Sequence, residues 1–187
     1  MNVQVFAEPW TYAIADDFFS FEENHIIKNY TRLKFANAPQ FHDVHKLIMR
    51  HDLIMRHYSE IESHDLAIWN YCNNIARSKF PILCEHLKVP KIDYELWVEF
   101  SCFNADCPRG IHVDRPEKYI SCLVYLDGKG AGTWLYSEQE VCKQKIDFRH
   151  NRALIFHNTS DKLHAVGKNV LGDNRTAVNF IFAHPSR

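Results

Sequence analysis

Apolar and polar positions follow two different periods along this chain, and the change falls near Lys88. Before it, after a short extended opening in Val3 to Ala13, the segment ADDFFSFEENHIIKNY carries apolar side chains at helical spacing, with Asp16 or Asp17 placed to cap a helix. Two further helices are expected. One crosses Asp43 to His57, with Val44, Leu47, Ile48, Leu53 and Ile54 on one stripe; the other crosses Glu62 to Arg77, with Leu66, Ile68, Trp69, Cys72 and Ile75 on another. After Pro90 the texture turns to short β-rich runs bounded by Gly, Pro, Asn and Asp: YELWVEFSCF, GIHV, YISCLVYLD, GTWLYS, QKIDF, RALIFH, KLHAV and RTAVNFIFA. No helical pattern separates them, which argues for an antiparallel sandwich or jelly roll rather than a parallel α/β sheet. The glycine-rich stretch Asp127 to Gly132 lies between two of these runs, lacks the ending of a phosphate loop and reads as a hairpin turn.

Composition narrows the class. The 187 residues are 46% apolar and 24% charged, enough for one core, and no linker, repeat or low-complexity tract divides them. A formal net charge of -1 gives no strong nucleic-acid signal and no sign of disorder. MNVQVFAEPW lacks a basic region followed by an apolar run, and no later stretch is apolar enough to span a bilayer, so the expectation is a cytoplasmic protein away from the membrane. Six cysteines, Cys72, Cys84, Cys102, Cys107, Cys122 and Cys142, form no CxxC pair and read as reduced residues rather than a disulfide framework. Twelve histidines are the unusual item. Those at His42, His45, His51 and His57 complete no metal-ligand pattern.

The informative spacing is His112-Val113-Asp114, where a short strand runs into RPEK. Side chains at i and i+2 of a strand share a face, so an imidazole and a carboxylate there can meet one cation. His164 follows in KLHAV, and Arg175 opens the final strand. Two histidines and one carboxylate make a facial triad with open positions, a set that suits Fe(II) rather than structural zinc. An arginine deeper in the barrel can take a remote carboxylate through a fork of charge-assisted bonds. Taken singly each residue has a plainer reading: a salt-bridged turn pair, a core histidine, a sheet-edge cation.

With HVD, NRALIFHNTSDKLHAV and RTAVNF in this order, the chain resembles the Fe(II)/2-oxoglutarate-dependent dioxygenases, in particular their prolyl-hydroxylase-like branch. The resemblance covers roughly Glu95 to Pro185, with a weaker echo in EPWTYAIADDFFS. It implies a mainly β fold with N-terminal helices: a double-stranded β-helix (jelly roll, cupin-like) packed by helices on one sheet. A single domain over 1–187 would have helical support in 14–88 and a jelly-roll core in 90–184. It further implies His112, Asp114 and His164 as catalytic metal ligands, Arg175 as the anchor of the co-substrate's far carboxylate, and Tyr125, in YISCLVYL, as a second contact to it. The implied cofactors are Fe(II), 2-oxoglutarate and O2, and the implied reaction is hydroxylation of an aliphatic carbon with release of succinate and carbon dioxide. Asp114 fills the position that a halide would need, which disfavours halogenation. The chain departs from the family in having Ser101, Cys102 and Phe103 where related enzymes commonly place a tyrosine, and in a longer span, VGKNVLGDN, between His164 and Arg175.

The substrate classes left open are a prolyl residue in a peptide or protein and a small molecule; Arg115, Lys118 and Trp134 are candidates for the mouth, and either a monomer or a homodimer fits. Two other readings stand beside this one: a cupin-type metal enzyme that leaves Arg175 without a co-substrate, and a nonenzymatic cupin-like metal-binding protein.

Overall fold

The computed structural model describes residues 2–36, 44–56, 61–103, 110–167 and 175–185. In chain order the elements are β1 (Asn2–Phe6), β2 (Tyr12–Asp16), α1 (Phe21–Lys34), β3 (Val44–Arg50), α2 (His51–Arg56), α3 (Ser63–Leu87), β4 (Glu95–Phe103), β5 (Lys118–Gly128), β6 (Thr133–Tyr136), β7 (Cys142–Ile146), β8 (Ala153–His157), β9 (His164–Val166) and β10 (Arg175–Ala183). The fold is mainly β with N-terminal helices. Seven strands pair antiparallel in the order β1-β2-β8-β5-β10-β4-β3, and a smaller sheet runs β7-β6-β9. The GIHV segment contributes a single bridge, His112 to His164, on the open side of β9.

Alternation along the central strands sorts their side chains between two cores. Ile120, Cys122 and Val124 of β5, with Val178, Phe180 and Phe182 of β10, pack with Ile27 of α1 and with Trp69, Cys72, Ile75 and Phe80 of α3. Residues of opposite parity, Tyr125, Leu154, Phe156 and Ala177, face Leu135 and Ile146 of the smaller sheet. The central strands β5, β8 and β10 are therefore largely buried on both faces, which is why they read as nearly continuous apolar runs.

Three expectations need correction. The segment expected as a helix across Asp43 to His57 is strand β3 followed by the short α2, with Asp43 and His57 themselves outside the described residues. Its apolar residues satisfy either period, and full-length pairing with β4, from Val44 opposite Phe103 to Arg50 opposite Trp97, decides for the strand. Helix α1 is capped by Ser20, whose hydroxyl accepts from Glu23 N at 3.2 Å while the Glu23 carboxylate accepts from Ser20 N at 2.8 Å. Asp16 instead ends β2 and accepts from Arg152 at 2.7 and 3.0 Å and from Arg149 at 3.1 Å. Helix α3 runs past Arg77 and through Pro81 to Leu87, where Lys88 turns left-handed at φ 56°. The extended opening is two strands, β1 and β2, and the presumed helical support in 14–88 accordingly includes the end of β2 and all of β3.

Asn151 ties the helical layer to the sheet. It sits at φ 60°, a conformation asparagine tolerates, and its amide spans Phe19, accepting from the backbone N–H and donating to the carbonyl at 2.9 Å each. No disulfide forms among the described residues; Cys72, Cys84 and Cys122 are buried and Cys107 lies outside them. No described helix is long and apolar enough to cross a membrane.

Two stability outcomes follow from this packing. Phe180 is 1% exposed and its ring meets both Phe18 and Phe19; Phe180→Ala is expected to cost about 3–5 kcal/mol in urea unfolding. Asp65 joins α3 to α1 by accepting from Tyr30 Oη at 2.8 Å and Lys34 Nζ at 2.9 Å. Burial pushes its carboxyl pKa up, but Lys34 and Tyr30 outweigh that and hold it below its ordinary value. Its stabilisation is thus present above pH of about 4 and lost as pH falls through the lower folded value. Acid titration of Asp65→Asn should show a shallower fall of stability below that pH than the parent protein.

Candidate metal centre and its cleft

The smaller sheet brings together two histidines that lie far apart in sequence. His112 N donates to His164 O at 3.0 Å and His164 N to His112 O at 2.9 Å, a directly opposed antiparallel pair whose side chains leave the same face. The rings lie 4.4 Å apart, tilted by 51°. Nδ1 of His112 is 2.9 Å from Gly110 O and Nδ1 of His164 is 2.9 Å from Lys162 O. A carbonyl only accepts, so each Nδ1 carries the proton and each Nε2 keeps the lone pair a metal takes.

Asp114 completes the cluster: one ligand atom from each of His112, Asp114 and His164 lies within 4.8 Å of the others. Its carboxylate accepts from Lys118 Nζ at 2.5 Å and from Ser121 Oγ at 2.9 Å. Asn158, in the amide orientation its neighbours require, donates to the same carboxylate at 3.1 Å and accepts from Ser121 N at 3.2 Å. Burial pushes the Asp114 carboxyl pKa up, but the Lys118 ammonium, His164 and the Ser121 hydroxyl outweigh it and hold it below its ordinary value. Two imidazoles that present Nε2 and one carboxylate form a donor set that fits a divalent ion with positions left open. Glu62, His64 and Asp65 also come within the same distance, but two of the three are exposed and the set is engaged by Lys34, as expected of a solvated helix end.

A narrow cleft, with a cavity volume of about 60 Å3, runs from these residues between the sheets. Ser101, Leu123, Thr133, Leu154, Phe156 and Asn179 line it beyond the three candidate ligands. Arg175 and Tyr125 stand just behind that lining. Tyr125 is buried and donates to Thr133 Oγ1 at 2.8 Å; Arg175, 3% exposed, donates from Nη1 to Gly132 O at 2.7 Å and lies 5.0 Å over the Phe103 ring. Burial pulls the Arg175 pKa down, with Tyr125 opposing, and among the described residues no carboxylate faces its guanidinium. Of the residues expected at the mouth, Arg115 and Lys118 line a hollow beside Asp114, whereas Trp134 lines neither space and carries the Lys145 ammonium 4.5 Å over its ring. His157 packs on Tyr119 instead of joining the cluster, and His51 packs near Trp69. His42 and the loop following Gly167 fall outside the described residues.

Sequence reasoning did not single out Ser121, Asn158, Glu99, Thr133 or Asn179. Three of them had a usable signal, a polar residue at an inward position of an otherwise apolar strand: Ser121 in YISCLVYL, Glu99 in ELWVEFSCF and Asn179 in RTAVNFIFA.

No protein-family model matches the chain, and no curated protein matches it. Its fold is nevertheless shared with solved structures of iron and 2-oxoglutarate oxygenases. A viral collagen prolyl hydroxylase from Paramecium bursaria Chlorella virus-1 is similar at 15% identity and a TM-score of 0.65, over 93% of this chain and 96% of that one. A prolyl hydroxylase from Trichoplax adhaerens, solved with a hypoxia-inducible-factor peptide, is similar at 16% identity and 0.66, over 92% and 83%. An oxidoreductase of the 2OG-Fe(II) oxygenase family from Burkholderia pseudomallei is similar at 14% identity and 0.65, over 92% and 84%. The likeness thus extends beyond prolyl hydroxylases.

A buried guanidinium facing no carboxylate is a stability liability. Arg175→Met is expected to fold and to raise the unfolding free energy by about 1 kcal/mol, read by chemical denaturation without added ligands.

Proposed function

We propose that this chain is an Fe(II)- and 2-oxoglutarate-dependent oxygenase that hydroxylates an aliphatic carbon of its substrate. The observation that carries the reading is the meeting of His112, Asp114 and His164 within 4.8 Å at the head of an interior cleft that leads toward a buried arginine. In this reading the two sheets form one double-stranded β-helix, 1–187 is a single domain, and α1 and α3 support the large sheet.

The roles divide by position. His112, Asp114 and His164 would hold the metal at the head of the cleft. Bound there, Fe(II) supplies the activation of O2, coupled to oxidative decarboxylation of 2-oxoglutarate to succinate and carbon dioxide. Gly110 O and Lys162 O keep both imidazoles in the ligating tautomer, and Lys118, Ser121 and Asn158 keep Asp114 ionised and aimed. Arg175 takes the far carboxylate of 2-oxoglutarate, with Tyr125 and Thr133 beside it; this gives the guanidinium the anion it otherwise lacks. Leu123, Leu154 and Phe156 keep water out of the space between. A prolyl side chain carried on a peptide is one target, supported by the peptide held in the Trichoplax enzyme.

Two measurements test this. Anaerobic Fe(II) followed by 2-oxoglutarate should produce a metal-to-ligand absorption band, and saturating both at about a hundred times their dissociation constants should stabilise the fold by about 2.7 kcal/mol for each. His164→Ala should lose both responses. Arg175→Ala should keep iron and lose 2-oxoglutarate, with succinate release falling accordingly; turnover that continues without 2-oxoglutarate overturns the reading in favour of a cupin-type enzyme.

A further inference from the structure

A second hollow lies on the other side of Asp114, toward β3 and β4. It has a volume of about 230 Å3 and shares Glu99, Asp114 and Lys118 with the first as wall residues. Its apolar walls are Ile48, Trp97, Val113 and Ile181. Ile181 and Trp97 are register partners, and Ile181 also pairs with Ser121, the residue that donates to Asp114. The apolar wall therefore begins next to the candidate ligands. The Arg50 guanidinium lies 4.5 Å from the Trp97 ring and is itself bonded to Asp52 at 3.1 and 3.2 Å.

The charges around this hollow do not cancel. Glu99 accepts from Lys46 at 2.7 Å and is neutralised. In the function proposed above, a divalent ion, Asp114, the two carboxylates of 2-oxoglutarate and Arg175 balance one another. Lys118 and Arg115 remain. The Lys118 side chain is 11% exposed and gives one bond to Asp114, so an ammonium has donors to spare in a confined space. Among the described residues the Arg115 guanidinium meets no carboxylate. Two cations beside one apolar wall attract an anion that carries a hydrocarbon body.

We propose that the substrate is an organic carboxylate, with its anionic group held by Arg115 and Lys118 and the carbon to be hydroxylated lying against Trp97 and Ile181. This rests on the oxygenase reading and adds the substrate class to it. The carboxylate comes either from a free acid of small size or from an acidic side chain on a peptide; both present the same group to the same two cations.

Zinc-loaded protein saturated with 2-oxoglutarate provides the test, because binding is then read without turnover. It is titrated calorimetrically with free apolar amino acids and short-chain fatty acids, and with capped peptides bearing one glutamate, each beside its neutral carboxamide or glutamine counterpart. At least one acid should bind about tenfold more tightly than its neutral counterpart, and the arm that responds identifies the source. Arg115→Gln, at an exposed position, should abolish that preference and leave 2-oxoglutarate affinity unchanged. The inference is overturned, with the oxygenase reading intact, if acid and neutral forms bind alike, if Arg115→Gln keeps the preference, or if no anion binds while 2-oxoglutarate does. If 2-oxoglutarate itself fails to bind the zinc-loaded protein, the oxygenase reading fails and this inference with it.

Discussion

The site depends on one pair of backbone hydrogen bonds, those exchanged between His112 and His164. An antiparallel hydrogen-bonded pair sets its two residues directly opposite each other with their side chains on the same face. That geometry converts two histidines remote in sequence into neighbours whose rings are 4.4 Å apart, without any contact between the side chains being needed to draw them together. A one-residue slip of register would turn one imidazole away from the other. The large sheet with its two dry cores, the helices that cover one face, and the turn that Asn151 secures supply the rigidity against which this short bridge can hold.

Around that bridge the polar groups follow one electrostatic logic. An ionised carboxylate is brought into a confined space, and Lys118, Ser121 and Asn158 offset its desolvation. Behind the other part of the cleft the arrangement is reversed: Arg175 is buried on Gly132 O and the Phe103 ring, and among the described residues no carboxylate faces it. A fold selected for stability alone would fill that place with an apolar side chain. The contrast between a carboxylate with several donors and a guanidinium that faces no carboxylate gives the cleft a polarity along its length.

How much of this was legible in the sequence depended on whether a feature is local. The strands after Pro90 were readable because β5, β8 and β10 are buried on both faces and so stand out as apolar runs between turn residues. The helix-strand confusion over Val44–Arg50 has the opposite origin. Its apolar spacing is compatible with both periods, and what decides is the exposed edge of β4, which lies far along the chain. The cap of α1 was misplaced for a similar reason. Asp16 is a good capping residue in isolation, but Arg152 and Arg149 claim its carboxylate, and Ser20 with Glu23 completes a reciprocal box closer to the helix.

The sequence by itself determined the chemistry available: a histidine and a carboxylate two positions apart, a second histidine, and an arginine opening the last strand, all set among β-rich segments. These are properties of residue type and short spacing, which no distant contact can alter. Tertiary structure decided the rest. It chose which nitrogen of each imidazole keeps its lone pair, through carbonyls of neighbouring turns; it gave Asp114 its supporting donors from β5 and from the turn after β8; and it set Arg115 and the Asp114-bonded Lys118 beside Trp97 and Ile181. Each of those outcomes is a balance of charge and hydrogen bonds among groups distant in sequence, and such a balance exists only once the strands are in register.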